Sequence, residues 1–134
     1  LEVGAAVGFS SILMAEYAPE ACEIVTIENY EKRIPIAREN FKRAGKDEQI
    51  TLLEGDAAEI LPTLTEPFDL IFMDIYLNEL NGIDIVRKIR QMDSKVMIVF
   101  LTTSKEHMFS GFLFILSQII WMIQDFFSAT VESC

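Results

Sequence analysis

The chain has 134 residues, of which 51% are hydrophobic and 24% charged, a composition typical of one globular domain and not of a disordered segment. Its 11 basic and 21 acidic residues give a formal net charge of -10, which argues against direct nucleic-acid binding and against docking on an anionic membrane. Cys22 and Cys134 fit no CxxC or zinc spacing, so we expect reduced thiols in a cytoplasmic protein. The sequence begins at Leu1 within a strand pattern and shows no signal peptide, so we expect that an upstream segment is missing.

Short apolar runs alternate with helical patterns along the chain. The apolar runs predict strands over residues 1–3, 23–28, 50–53, 68–74 and 96–101. The helical patterns predict helices over residues 9–18, 30–44, 56–64, 82–91 and 105–127. Because strands that alternate with helices form a parallel sheet covered on both faces, we predict an α/β fold. It is a three-layer αβα sandwich with a doubly wound parallel sheet and the strand order 3-2-1-4-5.

Polar residues follow the predicted strands where each one ends, and ligands bind at this edge of a doubly wound sheet. The turn after the first strand, EVGAAVGFS, contains Gly4 and Gly8, which would let the backbone approach a ligand closely. Glu28 ends the second strand, 20 residues after Gly8, where an acid can accept both hydroxyls of a ribose. The glycine pair by itself is equally compatible with a purely structural turn. Its combination with Glu28 and with the GDA triplet at residues 55–57 favours a ligand site.

Five segments in residues 1–74 carry a family resemblance: LEVGAAVGFSSILMA, IVTIE, RAG, LLEGDAAEILPTL and FDLIFMD. In this combination the sequence resembles the S-adenosylmethionine-dependent O-methyltransferases related to catechol and caffeoyl-CoA O-methyltransferases. The resemblance implies a truncated Rossmann-like methyltransferase fold with S-adenosylmethionine as its cofactor. The residues it implies at the cofactor, from the methionine end to the adenine, are Glu2, Gly4, Gly8, Ser10, Glu28, Asp56 and Ala57. In this assignment Glu28 holds the ribose. The sequence departs from the commoner GxGxG pattern at Ala6.

The same resemblance implies a reaction, the transfer of a methyl group to a hydroxyl of a small acceptor molecule. In the metal-dependent members of the family, an Asp at the end of the fourth strand binds Mg²⁺ or another divalent cation, which lowers the pKa of the acceptor hydroxyl. Asp74 occupies that position, which makes it the predicted catalytic residue and metal ligand. Leu77 stands where a Lys usually follows, and the later Asp-Asn metal ligands have no counterpart. We therefore expect the catalytic half to be incomplete.

From about residue 68 the sequence resembles a second family. Residues 68–112, beginning FDLIFMDIYLNELNG, are similar to the middle of a response-regulator receiver domain of the LytTR type. This resemblance implies that Asp74 is a phospho-acceptor in a two-component system, with Thr102 as the hydroxyl that meets the phosphoryl group. The acidic pair and the Lys that complete such a site are missing from the sequence, so a receiver-like domain is the alternative function.

The two resemblances overlap in the string FDLIFMD, which both families share, and we hypothesise a chimera within one α/β domain of residues 1–134. It comprises a methyltransferase-like cofactor half over residues 1–74, a receiver-like half over 68–112 and an apolar tail over 113–134. The run 108–124 has no charge, and three interpretations stay open: a buried or partner-facing helix, non-native sequence, or a membrane segment. We favour the first, which predicts no membrane span and makes a homodimer a candidate assembly.

Overall fold

A computed structural model describes residues 1–74 and 82–101, together with Trp121. These residues form five strands: β1 (Glu2–Val3), β2 (Ile24–Glu28), β3 (Ile50–Glu54), β4 (Leu70–Asp74) and β5 (Met97–Leu101). The α-helices between them are α1 (Phe9–Tyr17), α2 (Ile34–Ala44), α3 (Ala57–Ile60) and α4 (Gly82–Met92), and a 3₁₀ turn, Leu61–Thr63, follows α3. All five predicted strands are confirmed, with their ends shifted by at most two residues.

The five strands form one parallel sheet in the order β3-β2-β1-β4-β5, as predicted. The short strand β1 lies at its centre, where Glu2 pairs with Thr26 of β2 and with Phe72 of β4. In a parallel sheet the carboxyl ends of the strands lie along one edge, which we call the carboxyl edge. The segments that follow β1, β2 and β3 therefore meet there, and these segments contain the predicted ligand residues.

Apolar side chains cover both faces of the sheet because alternate residues of a strand point to opposite sides. On one face, Phe72 of β4 packs in a buried cluster with Met14 of α1 and Phe41 of α2. On the other face, Met73 packs with Ile89 of α4. Helices therefore lie on both faces of the sheet, and the predicted three-layer sandwich is confirmed.

Two helices differ from their predicted bounds by more than one residue, each for a local reason. Helix α2 begins four residues later than predicted, because residues 31–33 form a turn in which the Arg33 N–H donates to the Tyr30 carbonyl at 2.8 Å. The segment predicted as one helix over 56–64 divides into α3 and the 3₁₀ turn that contains Pro62. Proline has no N–H for an α-helical hydrogen bond, so the regular helix ends before it.

The back of the chain is described only in part. Thr102 and the predicted helix over 105–127 lie outside the described residues, apart from Trp121, whose side chain is 67% exposed. Within residues 1–74 and 82–101, no helix is long and apolar enough to cross a membrane. The division into a cofactor half, a receiver-like half and an apolar tail stays a prediction.

Candidate cofactor site at the carboxyl edge

Residues 4–8, here called the glycine loop, join β1 to α1 and enter the left-handed region of backbone conformation three times. Gly4 has a φ of 100° and Gly8 a φ of 86°, and Ala6 between them has a φ of 49°. The backbone N–H groups of Gly4 and Ala5 both donate to the Ile27 carbonyl, at 2.9 and 3.0 Å. The first half of the glycine loop is thereby tied to the end of β2.

Ala6, the departure from the GxGxG pattern, is held by Glu28. A left-handed conformation is unfavourable for a residue with a Cβ by about 1–2 kcal/mol, so it persists where neighbouring contacts support it. The Ala6 N–H donates to Glu28 Oε2 at 2.6 Å. This hydrogen bond joins the glycine loop to the residue predicted to hold the ribose, across 22 positions of the sequence.

Glu28 itself is 6% exposed, and backbone groups fix the orientation of its carboxylate. In addition to Ala6, the N–H groups of Asn29 and Tyr30 donate to Glu28 Oε1, at 3.1 and 2.9 Å. A carboxylate offers about four acceptor positions, and these three donors leave one of them for a ligand hydroxyl. To accept both hydroxyls of a ribose, as predicted from the sequence, Glu28 would have to release one of its backbone donors.

Glu2 lies inside the fold beneath the glycine loop. Its side chain is 1% exposed, and its carboxyl group accepts hydrogen bonds from the hydroxyls of Ser10, Ser11 and Thr26, the last at 2.5 Å. Burial raises the pKa of Glu2, and the three hydroxyl donors oppose that shift without cancelling it. The cluster fastens the first turn of α1 to β1 and β2. Two of its members, Glu2 and Ser10, were predicted to contact the cofactor; Glu2 is buried beneath the loop, and Ser10 is half-buried.

Sequence analysis missed two members of this cluster, Ser11 and Thr26, and both are fully buried. Thr26 stands opposite Glu2 in the parallel register of β1 and β2. A threonine inside the apolar run IVTIE was the available signal, because a buried hydroxyl requires a polar partner. The identity of that partner depends on the strand register, which the sequence does not display.

The turn after β3 brings Asp56 and Ala57 to the carboxyl edge beside Glu28. The Gly55 N–H donates to the Glu28 carbonyl at 3.0 Å and so joins this turn to the end of β2. Asp56 is the N-cap of α3, where its Oδ1 accepts the Ala58 N–H at 2.7 Å. Ala57 is buried in the core cluster that contains Met73. The contact of Asp56 and Ala57 with the adenine stays a prediction, and the structure shows that Asp56 also caps α3.

Asp74 is the last residue of β4, in register with Leu101 of β5, so its backbone lies at the carboxyl edge as predicted. Its side chain is outside the described part of the structure, as are Leu77 and Thr102. Among the side chains that the structure does describe, no group of three or more His, Cys, Asp or Glu is arranged to hold a metal ion. The catalytic and metal-binding roles of Asp74 stay predictions.

A groove of about 850 Å³ opens at the opposite edge of the sheet, where the strands begin. Cys22 and Glu23 line it on one side, and the segment before β4, which includes Phe68, lines it on the other. None of the residues predicted to contact the cofactor lines this groove. The hydrogen-bonding groups described above therefore lie at the other edge of the sheet from the groove.

Proteins similar to this chain include O-methyltransferases. It is 40% identical over 78 residues to the catechol O-methyltransferase of Niastella koreensis, covering 55% of this chain and 35% of that protein. The structure is similar to that of an O-methyltransferase from Bacillus cereus in complex with S-adenosylhomocysteine, with a TM-score of 0.62 and 28% identity. That superposition covers 74% of this chain and 46% of the other. The chain thus spans less than half the length of either relative.

Another relative belongs to a different class of protein. The chain is 31% identical over 84 residues to the alkaline phosphatase synthesis transcriptional regulatory protein PhoP of Bacillus subtilis. The alignment covers 63% of this chain and 34% of that protein. A similarity of this extent does not confirm the joined response-regulator segment predicted from the sequence.

A model of the O-methyltransferase family matches residues 1–107. The match includes the glycine loop, Glu28, the turn after β3 and all five strands. It also extends through most of the segment predicted to be receiver-like. The chain therefore belongs to the O-methyltransferase family.

Proposed function

We propose that the chain is an S-adenosylmethionine-binding methyltransferase domain that transfers a methyl group to a hydroxyl of a small acceptor. The observation that carries the proposal is the hydrogen bond from the Ala6 N–H to Glu28, because it unites the glycine loop and the acid at the tip of β2 in one site. Family membership and the relative named as a catechol O-methyltransferase support the same reaction. Because the chain spans only part of its relatives' length, the methyltransferase activity of the whole protein is proposed here and is not inferred from family membership alone.

The groups at the carboxyl edge fit the chemistry of S-adenosylmethionine. Helix α1 has no acidic residue in its first turn, so the partial positive charge of its N-terminus suits the carboxylate of the methionine moiety. Gly4, Gly8 and Ser10 would hold that end of the cofactor. Glu28 would accept a ribose hydroxyl at its remaining acceptor position, and the turn at residues 56–57 would lie by the adenine.

Glu2 and Asp74 complete the proposed site in different ways. Glu2 would act through Ser10, since the Ser10 hydroxyl donates to it and the Glu2 side chain is buried. When bound, the cofactor supplies an electrophilic methyl group on a sulfonium, and the acceptor hydroxyl must be oriented and deprotonated. Asp74 is our candidate for that task, directly or as a ligand of Mg²⁺ or another divalent cation. Because Leu77 replaces the Lys of the family pattern, we expect transfer to be slow.

Calorimetric titration of S-adenosylhomocysteine into the purified chain tests the cofactor site. Glu28→Gln keeps the size of the side chain and removes its charge, so we expect affinity to fall about tenfold or more. Glu23→Gln is the matched control, because Glu23 is exposed and immediately precedes β2 at the opposite end from Glu28. The absence of binding by a folded wild-type chain, or an equal loss in both variants, would contradict the proposal.

Methyl transfer itself can be measured by incubating the chain with S-adenosylmethionine, Mg²⁺ and catechol. Catechol is the first acceptor to try because of the similarity to the Niastella koreensis enzyme. We expect a methylated catechol in the mass spectrum and its loss in the Asp74→Asn variant. Turnover that is unchanged in Asp74→Asn would remove Asp74 from the mechanism and leave the cofactor site standing.

A second candidate function, a receiver-like phospho-acceptor domain, is favoured by the similarity to PhoP. Incubation with acetyl phosphate and Mg²⁺, followed by intact-mass measurement, would detect a phosphoryl group on Asp74, with Asp74→Asn as control. Phosphorylation of a wild-type chain that does not bind S-adenosylhomocysteine would favour this candidate over the methyltransferase. Genomic sequence around the FDLIFMD string tests the chimera, since two intact neighbouring genes there would mean a mis-assembled chain.

We place the domain in the cytoplasm, and the free thiol of Cys22 is compatible with that reducing compartment. The uncharged run of residues 108–124 makes a homodimer our proposed assembly. Light scattering of the purified chain tests the dimer, because a monomer has a mass of 15.2 kDa.

A further inference from the structure

Helix α2 contacts the glycine loop through two consecutive residues, Asn40 and Phe41. The side-chain amide of Asn40 donates from Nδ2 to the Val7 carbonyl at 2.8 Å. A Cβ added to Gly8 would lie 2.4 Å from Cε1 of Phe41, so the Phe41 ring occupies the space that a side chain there would need. The second half of the glycine loop therefore rests directly on α2.

The two contacts constrain the loop in different ways. Phe41 belongs to the buried core and limits how closely the backbone at Gly8 can approach. Packing of this kind does not set the rotation of a peptide group, whereas a hydrogen bond is directional and does. The Val7–Gly8 peptide is therefore oriented by two hydrogen bonds, one from Asn40 to the Val7 carbonyl and one from the Gly8 N–H to the Ala5 carbonyl at 2.8 Å.

The halves of the glycine loop thus have separate anchors. Gly4, Ala5 and Ala6 are bonded to the end of β2, through the Ile27 carbonyl and the Glu28 carboxylate. Val7, by contrast, is bonded to a residue of α2 that lies 33 positions later in the sequence. The Gly8 N–H also donates to the Ala5 carbonyl at 2.8 Å, so loss of the Asn40 amide would free the Val7 carbonyl while Gly8 stays joined to the first half of the loop.

We propose that Asn40 is a positioning residue for the cofactor. By holding the Val7 carbonyl it sets the path of the backbone into Gly8 and Ser10, the residues proposed to meet the methionine end. The inference rests on the proposed function. It adds to the site a residue that lies on α2 and not at the tip of a strand.

The test compares Asn40→Leu with a matched loss of a side-chain amide elsewhere. Gln49, like Asn40, is half-buried. Its Nε2 donates to the carbonyls of Pro19 and Cys22, at 3.3 and 3.0 Å, far from the glycine loop. Gln49→Met and Asn40→Leu each keep the side-chain size and remove the donor. Titration with S-adenosylhomocysteine, urea unfolding and hydrogen exchange of residues 4–12 are measured for both variants and for wild type.

We expect Asn40→Leu to bind S-adenosylhomocysteine about fivefold or more weakly, with faster exchange in residues 4–12, and Gln49→Met to match wild type in both. Urea unfolding separates this from a merely structural role, because the affinity of Asn40→Leu should be weaker under conditions where both variants are fully folded. Wild-type affinity in Asn40→Leu, or an equal loss in Gln49→Met, would overturn the inference and leave the proposed function intact. A folded wild-type chain that does not bind S-adenosylhomocysteine would overturn both.

Discussion

Replacing Gly8 with alanine would cause both backbone strain and a steric clash with Phe41. At a φ of 86°, a residue with a Cβ destabilises the native state by about 1–2 kcal/mol. Alanine also lowers the conformational entropy of the unfolded chain, which offsets about 0.4–1 kcal/mol of that loss. The new Cβ would lie 2.4 Å from Cε1 and 2.9 Å from Cζ of Phe41, whose ring is enclosed by the core. Overpacking of this kind adds about 1–3 kcal/mol. We expect Gly8→Ala to lower the free energy of unfolding by about 1–5 kcal/mol.

Gly45 provides the control, since it has the same kind of backbone conformation without the packing obstacle. Its φ is 66°, and no atom lies within 4 Å of a Cβ added there. We expect Gly45→Ala to lower the free energy of unfolding by about 1 kcal/mol or less. Urea titrations followed by circular dichroism measure the free energy of unfolding of both variants. Equal slopes of that free energy against urea concentration establish that the unfolded states are comparable.

The two variants together separate strain from packing. If Gly8→Ala is no less stable than Gly45→Ala, Gly8 does not pack closely against Phe41. The contact between the glycine loop and α2 would then be wrong. The double variant Gly8→Ala/Phe41→Leu gives a second check, because the shorter side chain lacks the ring atoms that the new Cβ would meet. Its loss of stability should be smaller than the sum of the two single losses.

Two further predictions concern carboxyl groups of the site. Because the pKa of Glu2 is raised above its usual 4.5, the native state binds more protons than the unfolded state above that pH, and stability from Glu2 falls as pH rises through the native pKa. Between pH 4.5 and neutrality, the free energy of unfolding measured with urea should depend less on pH in Glu2→Gln than in wild type. An equal pH dependence in the two proteins would contradict the burial of a titrating Glu2. Asp56→Ala should lose about 1 kcal/mol of stability through the N-cap of α3, whereas Asp56→Asn keeps the cap. Equal urea midpoints for these two variants would refute the capping role.

The strands and their order could be predicted because hydrophobic patterning reports burial directly. A run such as FDLIFMD is apolar at adjacent positions, which indicates a strand covered on both faces, and β4 is covered by both core clusters. The glycine loop and Glu28 were predictable for a related reason, since both lie next to strand ends that the pattern locates. The structure adds that Glu28 also holds the loop, through Ala6.

Contacts between distant residues could not be predicted in this way. Thr26 bonds to Glu2 across 24 positions and Asn40 to Val7 across 33, and a sequence shows the donor without its acceptor. The late start of α2, by contrast, has a local origin, the turn at residues 31–33 in which the Arg33 N–H donates to the Tyr30 carbonyl.

We propose that the ligand binds at the carboxyl edge of the sheet and not in the groove at the opposite edge, where the strands begin. Amide chemical shifts in NMR spectra, recorded while S-adenosylhomocysteine is added, test the location directly. We predict that shifts change in residues 4–11, 28–30 and 55–58 and stay constant in residues 63–66 and in Phe68, which line the groove. Changes confined to the groove, or an unaltered spectrum of a folded chain, would contradict the claim.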